Sequence, residues 1–444
     1  MCQLNRRPLF NPQGDSDTAA RRIINGNTTN LNDFNNMKYA WVSGWYRQAM
    51  NNFWIPEEIN LAADVKDYPR LSPAERRAFD KILSFLVFLD SIQTANLPSV
   101  GEYITANEVN LCLCIQAFQE AVHSQSYSYM LDTICEPQQR QEVLYQWRND
   151  EHLLRRNTFI GNLYNEFQQN RTPENFARTL VANFILEGVY FYSGFMFFYN
   201  LGRNQKMPGS AQEIRYINRD ESTHLWLFRN IIRELQREEP RLFTPEKVDE
   251  YRAMIREGAE QEIAWGSYVI GDDIPGLTTG MVRDYIRYLA NRRCQELGFA
   301  PVYEGCETEP PSCAWVSQFS NVNLIKTDFF EAPLHSLRQE HLTGGRPLGT
   351  RGAQVSPNYL AAGEIIEPTP HHAAKRACKV PHNLLQPPQH EQRRNAARHE
   401  AKHGGHRRHA AVHARPASHQ YGTAHAHHPG HGGQPGAGGT AAAR

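Results

Sequence analysis

Strand signals are missing from most of this 444-residue chain. No run alternates apolar with polar residues at period two, and no hairpin turn interrupts residues 36 to 300. That excludes a sandwich, a barrel or a parallel α/β sheet over this stretch. Glycine-rich phosphate loops, a dinucleotide-binding glycine fingerprint and a Ser-His-Asp spacing are likewise absent, so nucleotide chemistry must occur elsewhere. The eight cysteines (2, 112, 114, 135, 294, 306, 313 and 378) include no Cys-x-x-Cys. Three of them fall in expected core helices, which points to reduced thiols in a cytoplasmic protein. The start, Met1 to Arg22, is polar and lacks the apolar stretch of a secretion signal.

Histidine is also scarce where the chain looks globular. Of nineteen histidines only His123, His152 and His224 precede residue 332, and sixteen follow it. The zero net charge is a cancellation of the same kind. Residues 332 to 444 hold fourteen Lys and Arg against five Asp and Glu, leaving 33 against 42 in the rest. With only Tyr359 and Tyr421 as aromatics, and runs such as His425-Ala-His-His-Pro-Gly-His, that terminal part has too little apolar surface for a core. It is expected to be a disordered, solvated, low-complexity tail.

What is present is helical. Ser72-Pro-Ala-Glu75 reads as an N-cap, a proline at the first helical position and a capping box. Thr172-Pro-Glu and Thr244-Pro-Glu start helices in the same way. The expectation is an all-α, ferritin-like four-helix bundle with auxiliary helices. Its parts are an N-terminal arm over 1–35, the helical domain over 36–300, an extended segment over 301–331 and the tail over 332–444.

Two of the three early histidines stand three residues after a glutamate, in Glu120-Ala-Val-His123 and Glu221-Ser-Thr-His224. On a helix that spacing puts a carboxylate and an imidazole on one face, able to meet the same ion. A carboxylate-bridged dimetal site in a four-helix bundle uses such a pair from each of two helices and a lone acid from each of the other two. Asp90 and Glu187 each precede a pair and sit among apolar residues; Glu187 is the only charge in the twenty-two residues from Leu180 to Leu201. A buried carboxylate is costly unless it is paired, protonated or metal-bound. The Leu180–Leu201 run is long enough to span a membrane, but an acid at its middle and polar, capped neighbours make it a core helix. His152 lacks the pair spacing and reads as structural or solvated.

Tyr127 lies four residues after His123 and seven after Glu120, on the same helical face. A buried tyrosine at helical spacing is more often core than chemistry. Here Phe191 and Phe195 follow Glu187 by one and two turns and Ile217 precedes Glu221 by one, which would surround the phenol with apolar groups.

Over roughly residues 10 to 331, these residues resemble the small, radical-bearing subunit of class I ribonucleotide reductase. The resemblance rests on Asp90, Glu120-x-x-His123-x-x-x-Tyr127, Glu187-x-x-x-Phe191-x-x-x-Phe195 and Ile217-Asn-Arg-Asp220-Glu221-x-x-His224. It implies two irons per chain, or manganese, bound by Asp90, Glu120, His123, Glu187, Glu221 and His224. It further implies a dioxygen-generated tyrosyl radical on Tyr127, shielded by Phe191, Phe195 and Ile217. Trp54 and Asp220 match a relay that passes the oxidising equivalent to a large (alpha) subunit, where ribonucleotides become deoxyribonucleotides. A homodimer is implied, with no nucleic-acid partner and no membrane. A di-iron oxygenase or ligand-binding oxidase, and a ferritin-like iron store, would use similar ligands, but neither needs a caged tyrosine and a relay tryptophan. After Asp328-Phe-Phe-Glu331 the chain departs from the family: Leu337 falls near the place of an expected radical-transfer tyrosine, and the composition break suggests a replaced or frame-shifted terminus.

Overall fold

A computed structural model describes residues 3–320 of the chain. The tail over 332–444, Leu337 and the Asp328–Glu331 segment lie outside the described residues. Among the described residues there is no strand, only two isolated bridges, Asp15 with Thr28 and Ile274 with Leu277.

Four helical elements carry the core. Helix α3 (Pro73–Gly101) starts where the sequence places it: Ser72 Oγ accepts from the Glu75 amide at 3.2 Å, and Glu75 Oε2 accepts from the Ser72 amide at 2.9 Å. Its buried stripe runs Phe79, Ile82, Leu83, Leu86, Asp90, Gln93 and Leu97, so a carboxylate and an amide occupy positions that the apolar spacing reserves for the core. Helix α4 (Asn107–Ile134) returns beside it and buries Gln116, Glu120, His123 and Tyr127 on one face. Helix α9 (Pro208–Glu238) buries Ile217, Asp220, Glu221, His224 and Phe228.

The fourth element is interrupted. The apolar run expected as one core helix is α7 (Pro173–Ile185), a π-helical turn (Leu186–Tyr190) and α8 (Tyr192–Arg203). Its most apolar window is wholly buried inside the protein, as expected of a core helix. Thr172 and Thr244 cap α7 and α10 (Pro245–Ile270) through the amides of Asn175 and Lys247.

The auxiliary helices hold this core in place. Helix α1 (Trp41–Asn51) lies against α4 and α9 and delivers Trp54 three residues past its end. Helix α2 (Ala62–Asp67) caps α9: Asp64 accepts from the amides of Gly209 and Ser210 at 2.9 and 2.6 Å. Helices α5 (Pro137–Tyr145) and α6 (Glu151–Gln169) flank α3, and α10 and α11 (Thr279–Glu296) pack on the interrupted element. Residues 311–320, expected to be extended, instead form a short 3-10 turn and helix α12 (Ala314–Ser320) on α8 and α9, where Val316 is buried. An apolar anchor of that kind is enough to fold seven residues against an existing surface.

Candidate metal centre

The six side chains that the sequence singles out by type and spacing converge, and all six are fully buried. They form two overlapping groups, each able to hold an ion: Asp90, Glu120, His123 and Glu221, and Glu120, Glu187, Glu221 and His224. Glu120 and Glu221 belong to both. Glu120 Oε2 lies 3.5 Å from His123 Nδ1 and its Oε1 lies 3.3 Å from His224 Nδ1. Glu221 divides the same way, Oε1 at 3.1 Å from His123 Nδ1 and Oε2 at 3.1 Å from His224 Nδ1. Each shared glutamate therefore offers one oxygen to each half, the geometry of a bridging carboxylate.

The donor set fits metal better than it fits itself. Both Asp90 oxygens, Glu120 Oε2, Glu187 Oε2 and Glu221 Oε1 are buried with no donor nearer than a histidine ring nitrogen at 3.1 Å or more, and a buried polar group that nothing meets costs about 1–3 kcal/mol or more. Four carboxylates and two neutral imidazoles would also balance two divalent cations. Without metal, protons must supply the balance. Burial, reinforced by Glu120, raises Asp90 well above the carboxylate range, and burial with the charges of Glu120 and Glu221 pushes Glu187 up to about 8 despite His224. Burial would raise Glu120 too, but the two histidines hold it at about 2. Burial would lower both histidines; the surrounding carboxylates win and raise them well above their ordinary value.

A second layer of side chains fixes the first. His123 Nε2 sits 3.3 Å from Asp220 Oδ2, which also accepts from Trp54 Nε1 at 2.8 Å. Arg219 lies beside the other Asp220 oxygen at 3.1 Å and, against burial, holds Asp220 below the usual carboxylate range together with His123. An acid orienting a metal-binding histidine is ordinary outer-shell chemistry. His224 Nε2 meets Gln119 Oε1 at 3.0 Å. Glu187 Oε1 accepts from Gln116 at 2.8 Å, from Asn183 at 2.7 Å and from Gln93, whose carbonyl accepts from Tyr164 at 3.0 Å.

The π turn that carries Glu187 is pinned from outside. Arg293 on α11 donates to the Gly188 carbonyl at 3.0 Å, and Arg156 on α6 donates to the Tyr190 carbonyl at 2.9 Å. Both carbonyls belong to the widened turn. Arg156 is itself paired with Glu262 and stacked on Phe85, with 3.7 Å from the guanidinium carbon to the ring centre. Glycine at 188 permits the approach, because a Cβ there would lie 2.7 Å from Arg293 Nε. Arg293→Met is therefore expected to cost about 1–3 kcal/mol by uncovering a buried carbonyl. It should also weaken metal binding at the Glu187 and His224 half more than at the other half. Stepwise metal titration checks this; unchanged affinity in both steps would show that the turn holds its shape without the clamp.

Tyr127 is fully buried, and its hydroxyl has no hydrogen-bond partner. Burial first, then the charges of Asp90 and Glu221, raise it far above the ordinary phenol value, so it stays protonated. Phe191, Phe195 and Ile217 are all buried, Phe191 and Phe195 with ring centres 5.8 Å apart. His152 takes no part; it is exposed and stacks on Tyr268 at 4.3 Å.

Several functional neighbours escaped the sequence reading. Gln93 is three residues after Asp90, Gln116 four before Glu120 and Asn183 four before Glu187, so helical spacing from each candidate ligand was the available signal. Gln119, Arg156 and Arg293 carry no such signal, because they reach the site from a neighbouring position or from other helices.

Comparison with known proteins agrees with this geometry. Residues 31–310 match the family model for ribonucleotide reductase, small chain. The chain is 71% identical over 329 residues to the ribonucleoside-diphosphate reductase subunit beta of Treponema pallidum, covering 74% of this chain and 94% of the relative. It is 39% identical over 331 residues to the subunit of that name from Halalkalibacterium halodurans, covering 74% and 95%. Among solved structures, the ribonucleotide reductase R2 subunit from Clostridium botulinum is 49% identical with a TM-score of 0.70, covering 72% of this chain and 99% of that one. With a buried centre whose two acid-histidine groups share Glu120 and Glu221, and with this match and level of identity, the chain belongs to the ribonucleotide reductase small-chain family.

Proposed function

We propose that Asp90, Glu120, His123, Glu187, Glu221 and His224 bind two iron ions, or two manganese ions, and that Tyr127 stores the oxidising equivalent made there. The chain is the small subunit of a ribonucleoside-diphosphate reductase, an oxidoreductase that works with a large subunit to reduce ribonucleotides to deoxyribonucleotides. That membership takes precedence over the oxygenase and iron-store readings. When bound, the metals supply the reduction of dioxygen. The chain supplies the rest. Tyr127 gives up one electron and its phenolic proton, and Asp90, ionised once metal replaces its proton, is the carboxylate whose charge acts most strongly on that phenol. Phe191, Phe195 and Ile217 offer a radical neither a hydrogen-bond donor nor a readily oxidised group. Trp54 and Asp220 connect His123 to the outer layers through the 2.8 Å and 3.3 Å contacts. The observation that carries the proposal is the unpartnered, fully buried Tyr127 hydroxyl beside the bridged cluster. Electron paramagnetic resonance of reduced, iron-loaded protein exposed to oxygen tests it; a spectrum without a tyrosyl signal would rule it out.

A homodimer is part of the same proposal. Met50, Phe53 and Phe118 on the outer side of α1 and α4 are 56%, 47% and 50% exposed, around an apolar groove of about 460 Å³. Phe53 and Phe118 stack with ring centres 6.3 Å apart, and Phe34 extends the face by packing edge-on to Tyr46. Monomers rarely leave a contiguous apolar face of this kind in water. Sedimentation of the intact protein checks it, and a monomer at micromolar concentration would count against it. A cytoplasmic location is supported by six unpaired cysteines among the described residues.

The tail is proposed to add nothing to the centre. Residues 332–444 hold sixteen histidines and two aromatics, and ordering costs about 1–2 kcal/mol per residue with little apolar burial to offset it. A chain ending at Glu331 should keep the metal content, radical and melting temperature of the full protein. Both forms should turn over poorly with a related large subunit, because Leu337 stands where the resemblance expects a tyrosine. Grafting a family-like terminus after Glu331 should restore turnover. Normal activity of the full chain, abolished by truncation, would make the tail a docking element instead.

A further inference from the structure

Glu187 is held by one oxygen only. Its Oε1 accepts from three side-chain amides on three helices: Gln116 on α4 at 2.8 Å, Asn183 on α7 at 2.7 Å, and Gln93 on α3. Its Oε2 receives no amide and lies 3.3 Å from His224 Nδ1. Behind Gln93, the Tyr164 hydroxyl on α6 donates to the Gln93 carbonyl at 3.0 Å and lies 3.4 Å from Asn183 Oδ1, to which Gln93 also donates. All five side chains are buried. Amides that merely satisfied core polarity would spread their donors over both carboxylate oxygens. Here Gln116 leaves its own Oε1 buried without a partner, while its N–H groups reach Glu187 and, at 3.5 Å, Glu120.

We propose that Gln93, Gln116 and Asn183, with Tyr164 behind Gln93, are positioning residues that restrict Glu187 to one metal-facing oxygen, Oε2, and so keep the His224 half of the centre open to a small ligand. This rests on the reading of the centre as a dimetal site. With Oε1 taken by three donors, Glu187 cannot turn to chelate without breaking hydrogen bonds to a charged group, which are the strong ones. The His224 half then draws one atom each from Glu120, Glu187, Glu221 and His224. A carboxylate-rich site for such an ion is built for about six donors, so positions remain for water or dioxygen. Tyr164 decides which end of the Gln93 amide points inward. A phenol that donates to the Gln93 carbonyl leaves the amide N–H groups for Glu187 and Asn183.

The test loads the full chain with cobalt(II), whose visible absorption weakens as an open site fills with donors, and titrates it with azide. Wild type should bind two cobalt ions and take up azide. In Gln93→Met/Gln116→Met, methionine keeps the bulk and removes the donors, so Glu187 is free to chelate. Azide affinity should then fall about tenfold, the worth of one hydrogen bond to a charged group, and the absorption should weaken with two cobalt ions still bound. Tyr164→Phe deletes one oxygen and keeps the ring; it should move both readouts the same way by a smaller factor, about threefold. A role in packing alone would lower the melting temperature and move neither. A wild type that takes up no azide, or a double variant with unchanged azide affinity and absorption, overturns the clamp. A change in the double variant with none in Tyr164→Phe removes Tyr164 from it. If the double variant does not fold, Tyr164→Phe decides by the same two readouts. Wild-type loading separates the two claims. If wild type binds two cobalt ions and the variants match it, only the clamp is wrong; if wild type does not, the reading of the centre fails and the clamp falls with it.

Discussion

Glu120→Ala is expected to bind neither metal ion tightly, whereas Asp90→Ala and Glu187→Ala should each lose about one of the two. The difference follows from membership: Glu120 serves both four-residue groups, while Asp90 and Glu187 serve one each. His224→Ala should resemble Glu187→Ala. The fold should suffer less than the site, because carboxylates freed of metal can take up protons. In the metal-free protein Asp90 is already pushed up by burial and Glu187 stands at about 8, so both hold protons at neutral pH. Metal binding must displace those protons and the ones on the raised histidines, so loading should release protons and affinity should rise as pH rises toward about 8. It should weaken as pH falls and the ligands reprotonate. Elemental analysis and pH-stat titration check both halves. Full metal content in Glu120→Ala would remove the bridging assignment, and metal uptake without proton release would mean that the carboxylates are ionised beforehand.

Legibility in the sequence depended on how local each signal was. The two Glu-x-x-His pairs state a helical face within four residues, and the structure brings both to one point. Asp90 and Glu187 stood out because a charge inside a long apolar run needs a reason, and the same reasoning identified the Leu180–Leu201 run as core. The caps at Ser72, Thr172 and Thr244 are three-residue signals and were equally readable. What stayed hidden was set by tertiary contact. The π turn at Leu186–Tyr190 accepts hydrogen bonds from guanidinium groups on α6 and α11, more than thirty and one hundred residues away in sequence respectively, which no window around Glu187 contains. The short helix at 314–320 is likewise a product of the surface on which it lies. Trp54 had no meaning on its own in the sequence beyond that of an aromatic before a helix; the resemblance implies a relay role for it, and the structure adds its 2.8 Å bond to Asp220.

Tyr127→Phe should leave the protein folded and fully loaded with metal, yet without any stable organic radical after reduction and exposure to oxygen. The substitution removes one oxygen atom that makes no hydrogen bond. It therefore strands no partner, and deleting a buried, unpartnered hydroxyl is expected to be neutral or slightly stabilising, within about 1 kcal/mol. None of the six proposed metal ligands changes, so iron content should match wild type. The chemistry changes completely, because a phenyl ring has no phenolic proton to lose and resists one-electron oxidation. The burial that keeps Tyr127 protonated, with its ionisation raised far above the ordinary value, also makes electron and proton leave together, so the neutral radical is the form that the site can hold. Trp54→Phe should behave in the opposite way: Tyr127 still forms its radical, but turnover with a large subunit falls by two orders of magnitude or more because the line through Asp220 is cut. Both variants can be followed by the amplitude of the tyrosyl signal and by reductase activity with a large subunit. A wild-type tyrosyl signal in Tyr127→Phe would place the radical on another of the nineteen tyrosines, and the apolar surroundings of Phe191, Phe195 and Ile217 would then be core packing alone.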